Sequence, residues 1–189
     1  MTVAKLVFAA ALLAAPAALA ATPVSVGHFD QVELRGGGHV VVKHGANQSV
    51  TLIKGSAEIT GFHIRDGNKL VIDACAHNCP NGEYDLEIEI VTPDLAGAAI
   101  DGGGHIQAAS GFPQQHDFAA AVDGGGHLDM TALGADQVEA AVNGGGHIEV
   151  KAIRALNAAV DGGGSIVYRG DPQVTQAIDG GGSVKHEGK

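Results

Sequence analysis

Five seven-residue segments recur along the second half of the chain. They are Ile100-Asp101-Gly-Gly-Gly-His105-Ile106, Val122-Asp123-Gly-Gly-Gly-His127-Leu128, Val142-Asn143-Gly-Gly-Gly-His147-Ile148, Val160-Asp161-Gly-Gly-Gly-Ser165-Ile166 and Ile178-Asp179-Gly-Gly-Gly-Ser183-Val184, at steps of 22, 20, 18 and 18 residues. A period near twenty is the signature of a solenoid, in which each unit buries its apolar face only against the next. An earlier copy, Leu34-Arg35-Gly-Gly-Gly-His39-Val40, has Arg in the acidic position, and Ile64-Arg65-Asp66-Gly67-Asn68-Lys69-Leu70 reads as a degenerate, shorter copy. Of 29 glycines, 18 sit in six such triplets, so the excess is organised, unlike that of a flexible linker.

Residues on both sides of each triplet alternate apolar and polar with period two, which assigns them to strands. Before the glycines come Phe118, Ala120, Val122, then Val138, Ala140, Val142, then Leu156, Ala158, Val160; after them come Leu128 and Met130, Ile148 and Val150, Ile166 and Tyr168. An Ala-rich stretch such as 134–142 has helical propensity, but a helix would meet three glycines in every period at about 1 kcal/mol each. The fold class expected is therefore all-β: a parallel solenoid whose circuits of two or three short strands stack roughly 4.8 Å apart. The triplet serves either as a corner with positive φ or as a place where two backbones approach closely, and the spacing does not choose. Strands are also expected at Val32–Leu34, Val40–Lys43, Val50–Lys54, Leu70–Asp73 and Leu86–Val91, with larger coils or hairpins between them.

Composition narrows the function. Eleven basic and 21 acidic side chains give a net charge of −10, the wrong sign for neutralising phosphates, so nucleic acid is excluded as a partner. Residues 1–20 read as a signal peptide: Lys5 supplies a positive charge, Leu6 to Leu13 is apolar, and Ala18-Leu19-Ala20 suits cleavage after Ala20. Residues 21–189 then form one domain, with an irregular β part over 21–93 and glycine-rich rungs over 94–189. No later stretch approaches the roughly 20 apolar residues of a membrane-spanning helix. The destination expected is the periplasm or the exterior. The two cysteines, Cys75 and Cys79, would there form a disulfide pinning a short turn, the alternative being a small metal or redox site with His77 between them.

The order of parts resembles a known family. Phe29-Asp30-Gln31-Val32 follows the signal, Gly67-Asn68 precedes Leu70-Val71-Ile72, Glu87-Ile88-Glu89-Ile90-Val91-Thr92-Pro93 leads to Leu95, and after the rungs comes Ser165-Ile166-Val167-Tyr168-Arg169-Gly170-Asp171-Pro172. With these features the mature chain resembles the putative auto-transporter adhesin head GIN domain family of exported bacterial proteins. The resemblance implies a right-handed parallel β-helix and an adhesive role, and it brings no catalytic or binding motif. The chain departs from the family's usual Gly-Ser-Gly rungs in having Gly-Gly-Gly followed by His.

Three of ten histidines, His105, His127 and His147, share one rung position and should stack about one strand spacing apart, beside a file containing Asp101 and Asp123. Imidazole and carboxylate suit zinc, copper or nickel, so a weak divalent-metal ladder is one reading. The other is that Asp caps each glycine turn while His and Ser are solvated cover. The calcium nonapeptide pattern fails because its Asp follows the glycines. A polysaccharide lyase would need Asp gathered with Arg, and Arg35, Arg65, Arg154 and Arg169 are scattered in sequence. No nucleophile elbow, zinc-protease helix or phosphate loop is present. The expectation is a non-enzymatic envelope or surface interaction module of unidentified partner, requiring no cofactor. A periplasmic metal-binding protein is the first alternative, a polysaccharide-acting β-helix enzyme the second, and self-association stays open.

Overall fold

The computed structural model describes residues 21–80 and 84–188, so the expected signal segment lies outside the described residues. All regular structure among them is β, in fifteen strands that make a solenoid of about four turns. The repeat unit is a strand, a glycine corner and a second strand. In the first unit, β2 (Gln31–Gly36) runs into β3 (His39–His44); in the next, β8 (Gly97–Gly102) runs into β9 (His105–Ala108). Then β10 (Gln115–Gly124) turns into β11 (His127–Gly144), β11 into β12 (His147–Gly162), β12 into β13 (Ser165–Arg169), and β14 (Gln173–Gly180) into β15 (Ser183–His186).

Equivalent residues pair in parallel from rung to rung, as the sequence period requires. Before the corner the register runs Leu34, Ile100, Val122, Val142, Val160, Ile178; after it, Val40, Ile106, Leu128, Ile148, Ile166, Val184. These two files face each other and form one continuous core from Phe29 to Ile166. The step of 20 residues becomes 18 through bulges at the bend of the rung. Three residues, Thr131 to Leu133, loop out of β11 opposite none in β12, and one residue of β11, Asp136, faces two of β12.

The three glycines of a triplet are not equivalent. Gly144 has φ +109°, and a Cβ there would lie 2.7 Å from the carbonyl oxygen of Gly124 on the rung before. A Cβ on Gly146 would fall 2.4 Å from Cγ1 of Val122, whereas one on Gly145 meets nothing within 4 Å. So the first glycine makes the turn, the third makes room for the core, and the middle one is free. The corners are tied to one another by main-chain bonds, Gly145 N donating to Gly124 O and His147 N to Gly126 O, both at 2.9 Å.

The N-terminal part differs from a simple continuation. A rung made of β6 (Lys69–Asp73) and β7 (Glu87–Thr92) pairs with β2 and β3 on the side away from β8 and β9. The first unit in sequence is thus the second in space. Antiparallel strands cover the outer side of that lowest rung: β4 (Ser49–Lys54) on β7, β1 (Thr22–Val24) on β4, and β5 (Gly61–Arg65) on β6. The segment 64–70 is a tight hairpin and not a shortened rung, because Asp66 and Gly67 take φ of +54° and +86° and reverse the chain. Cys75 and Cys79 are disulfide-bonded with Cα atoms 5.6 Å apart, just beyond β6.

Candidate functional site

The outward side chains form two surfaces. Before the corner, an alanine file, Ala99, Ala121, Ala141, Ala159 and Ala177, runs up the sheet beside Asp101, Asp123, Asn143, Asp161 and Asp179. Because alanine barely rises above the pleat, the strip is low, and a shallow groove of about 530 Å³ follows it. The file ends at Glu33, which pairs with Ala99 and is held by Lys69 at 3.0 Å and Arg35 at 2.6 Å. Burial pushes the Glu33 carboxyl up, but the hydrogen bonds and charges of Lys69 and Arg35 outweigh it and leave the group below its ordinary value.

After the corner stands the imidazole file. The sequence names His105, His127 and His147; the structure adds His39, whose pairing with His105 places it at the foot of the column. Ring centroids are 4.7 Å apart from His39 to His105 and from His105 to His127, both stacked, and 4.9 Å from His127 to His147, where the rings meet edge-on at 79°. Nε2 of both His39 and His105 is buried without a hydrogen-bond partner among the described residues. Burial, and then repulsion from His127 and His39, lower the His105 pKa against the opposing pull of Asp129 and Gln107.

The carboxylates that meet these rings come from the next outward position along the same strands. Oε1 of Glu149 lies 3.2 Å from His147 Nε2 and 3.4 Å from His127 Nε2. His147 is turned on its edge because its Nδ1 is engaged at 2.6 Å with Ser165 Oγ on the following rung. Asp129 is occupied locally, accepting from Thr131 N at 3.0 Å and Thr131 Oγ1 at 2.7 Å. Asp101 and Asp123 stand on the other side of the glycine corner, fully outward. Among the described residues the group with metal-ligand geometry is His127, His147 and Glu149. Glu149 was legible as the residue two beyond His147, since alternate residues of a strand share a face.

Of the scattered arginines one meets the Asp file: Arg35 is the register partner of Asp101 at its foot. Arg35 pairs with Glu33, Arg154 with Asp136 at 3.5 Å, and Arg169 with Glu187 at 2.8 Å. Arg35 is thus shared between Glu33 and the foot of the acid file, while Arg154 and Arg169 bind carboxylates outside it. No helix among the described residues is long and apolar enough to cross a membrane.

Residues 114–172 match the family described as putative auto-transporter adhesin, head GIN domain. That stretch is β10 to β13, the regular ladder with two of the His corners and the Ser165 corner. No curated protein matches the chain. Among solved structures, one of a putative adhesin from Bacteroides fragilis is 18% identical, covers 89% of this chain and 96% of its own, and has a TM-score of 0.47. A putative adhesin from Parabacteroides distasonis is 16% identical over the same shares at 0.40, and a putative lipid binding protein from that organism is 16% identical at 0.35. Identities and scores this low carry no residue over to the present chain.

Proposed function

We propose that the chain is an exported, non-enzymatic, adhesin-like module that holds a partner at the cell envelope or surface. The observation that carries this reading is the head GIN match over residues 114–172, which falls on the segment that builds the flat, periodic outer surfaces. The reading includes removal of residues 1–20 after Ala20, which N-terminal sequencing of the exported protein checks. The alanine strip is the surface best suited to flat contact: its small side chains lose little rotamer freedom on binding, and the strands beneath Ala99 to Ala159 are held on both sides. Saturable binding to a purified envelope preparation is expected, with loss of binding in Ala141→Lys and Ala159→Lys at unchanged far-ultraviolet circular dichroism. Equal binding by those variants would remove the strip from the reading, and turnover of a polysaccharide panel by the purified chain would replace the reading altogether.

A further inference from the structure

We infer that His127, His147 and Glu149 form a binding site for one divalent cation of the zinc class. The three donor atoms lie within 4.8 Å of one another, on adjacent rungs. Ligands about 2.0 Å from a tetrahedral zinc stand roughly 3.3 Å from each other. The Glu149 oxygen already lies 3.2 Å from one imidazole nitrogen and 3.4 Å from the other. Two of the three edges of the ligand triangle therefore have the right length before any ion enters, and closing the site needs only a small approach of the two rings.

The hydrogen-bond partners of His147 accommodate the ligating tautomer. A metal-bound imidazole commonly donates its second nitrogen's proton to a neighbouring acceptor, which fixes the ring and keeps the other lone pair free. Ser165 Oγ, 2.6 Å from His147 Nδ1, can serve as such an acceptor when the ion is bound. It is supplied by the rung where the repeat changes from His to Ser, so the same change that ends the imidazole file completes the support of its last member. Without an ion the same geometry is served by the other tautomer, His147 Nε2–H donating to Glu149 and Ser165 Oγ–H donating to Nδ1, so metal binding moves the ring proton to Nδ1. Three protein ligands, each half-exposed, leave the fourth position to water or to a donor from a partner. The set of two nitrogens and one oxygen suits zinc or copper(II) and disfavours calcium and magnesium, which take oxygen alone. The site does not depend on the adhesive role.

The test is a zinc titration of the tag-free mature chain by isothermal calorimetry at pH 7.5, repeated with cobalt(II) to read the visible ligand-field bands of a tetrahedral site. One zinc per chain is expected, together with those bands. His147→Ala and Glu149→Gln should weaken binding at least tenfold. Ser165→Ala should weaken it about 10- to 100-fold, as loss of a supporting hydrogen bond does. His39→Ala, at the far end of the file, should leave it unchanged. Absence of saturable binding in the unmodified chain, or undiminished binding in both His147→Ala and Glu149→Gln, overturns the proposal. Glu149→Gln keeps the shape of the side chain, so its result does not hinge on whether His147→Ala folds.

Discussion

The two ends of the stack are finished differently. At the N-terminal end β4, β1 and β5 lie antiparallel on the lowest rung, and Val50, Leu52, Leu70 and Ile72 there are buried. At the C-terminal end, among the described residues, β14 pairs with β12 alone and β15 with β13 alone, and Val174 and Ile178, which continue the core files, are 37% and 42% exposed. A solenoid rung has no complete core of its own, so whatever lies last must be covered or stay wet. Covering it takes strands that reverse direction, and those need tight turns and irregular spacing. The regular ladder needs only the same corner repeated. Irregularity in the sequence of the N-terminal part is therefore the mark of a cap, and the uniform rungs are the mark of an interior.

The contrast predicts, first, where a core truncation hurts. Leu128→Ala, in the middle of the ladder and fully buried, should lower unfolding stability by about 2–5 kcal/mol. Val174→Ala at the open end should cost less than about 1 kcal/mol, in line with a partly exposed site. Denaturant melts of the two variants compare them directly, and equal losses would mean that the last rung is covered in solution.

Second, the corner can be dissected. Gly146→Ala places a Cβ 2.4 Å from Val122 Cγ1 and should cost about 1–3 kcal/mol by overpacking. Gly145→Ala next to it meets open space and should stay within about 0.5 kcal/mol of the parent. If thermal melts rank the two the other way, the assignment of separate tasks within the triplet is wrong.

The smallest effects expected are with pH, and they separate the regions by range. His105, facing His39 on β3 and His127 and Asp129 on β11, has a folded pKa lowered from 6.5, and Glu33, between Arg35 and Lys69, has one lowered from 4.5. In both cases the folded chain binds fewer protons than the unfolded one as the pH falls, so stability is lost on acidification. The His105 contribution is complete above about pH 6.5 and disappears as the pH drops through its lower folded value. The Glu33 contribution is complete above 4.5 and disappears in stronger acid. Thermal midpoints measured against pH should show the upper step vanish in His105→Ser and the lower step shrink in Glu33→Gln. Profiles unchanged by either substitution would mean that neither group senses folding.

Much of this architecture was legible from residue order. Period-two alternation around a triplet every 18 to 22 residues points to parallel stacked strands, and that stacking buries Val122, Val142 and Val160 together while leaving Ala121, Ala141, Ala159 and the acids outside. The same reasoning put His105, His127 and His147 in one file. The alternation decides which way a side chain faces, and the period decides what lies above it. Neither tells how the path turns at the corner: residue order suggests the Asp file as the imidazoles' neighbour, and the carboxylate in contact is Glu149. Nor does local pattern say in what order rungs stack: that β6 and β7 lie under β2 and β3 rests on long-range pairing between segments whose own sequences suit either position. Those two features came only with the tertiary structure, since corner geometry and rung order depend on which backbones meet, and local chain chemistry is the same for all the candidates.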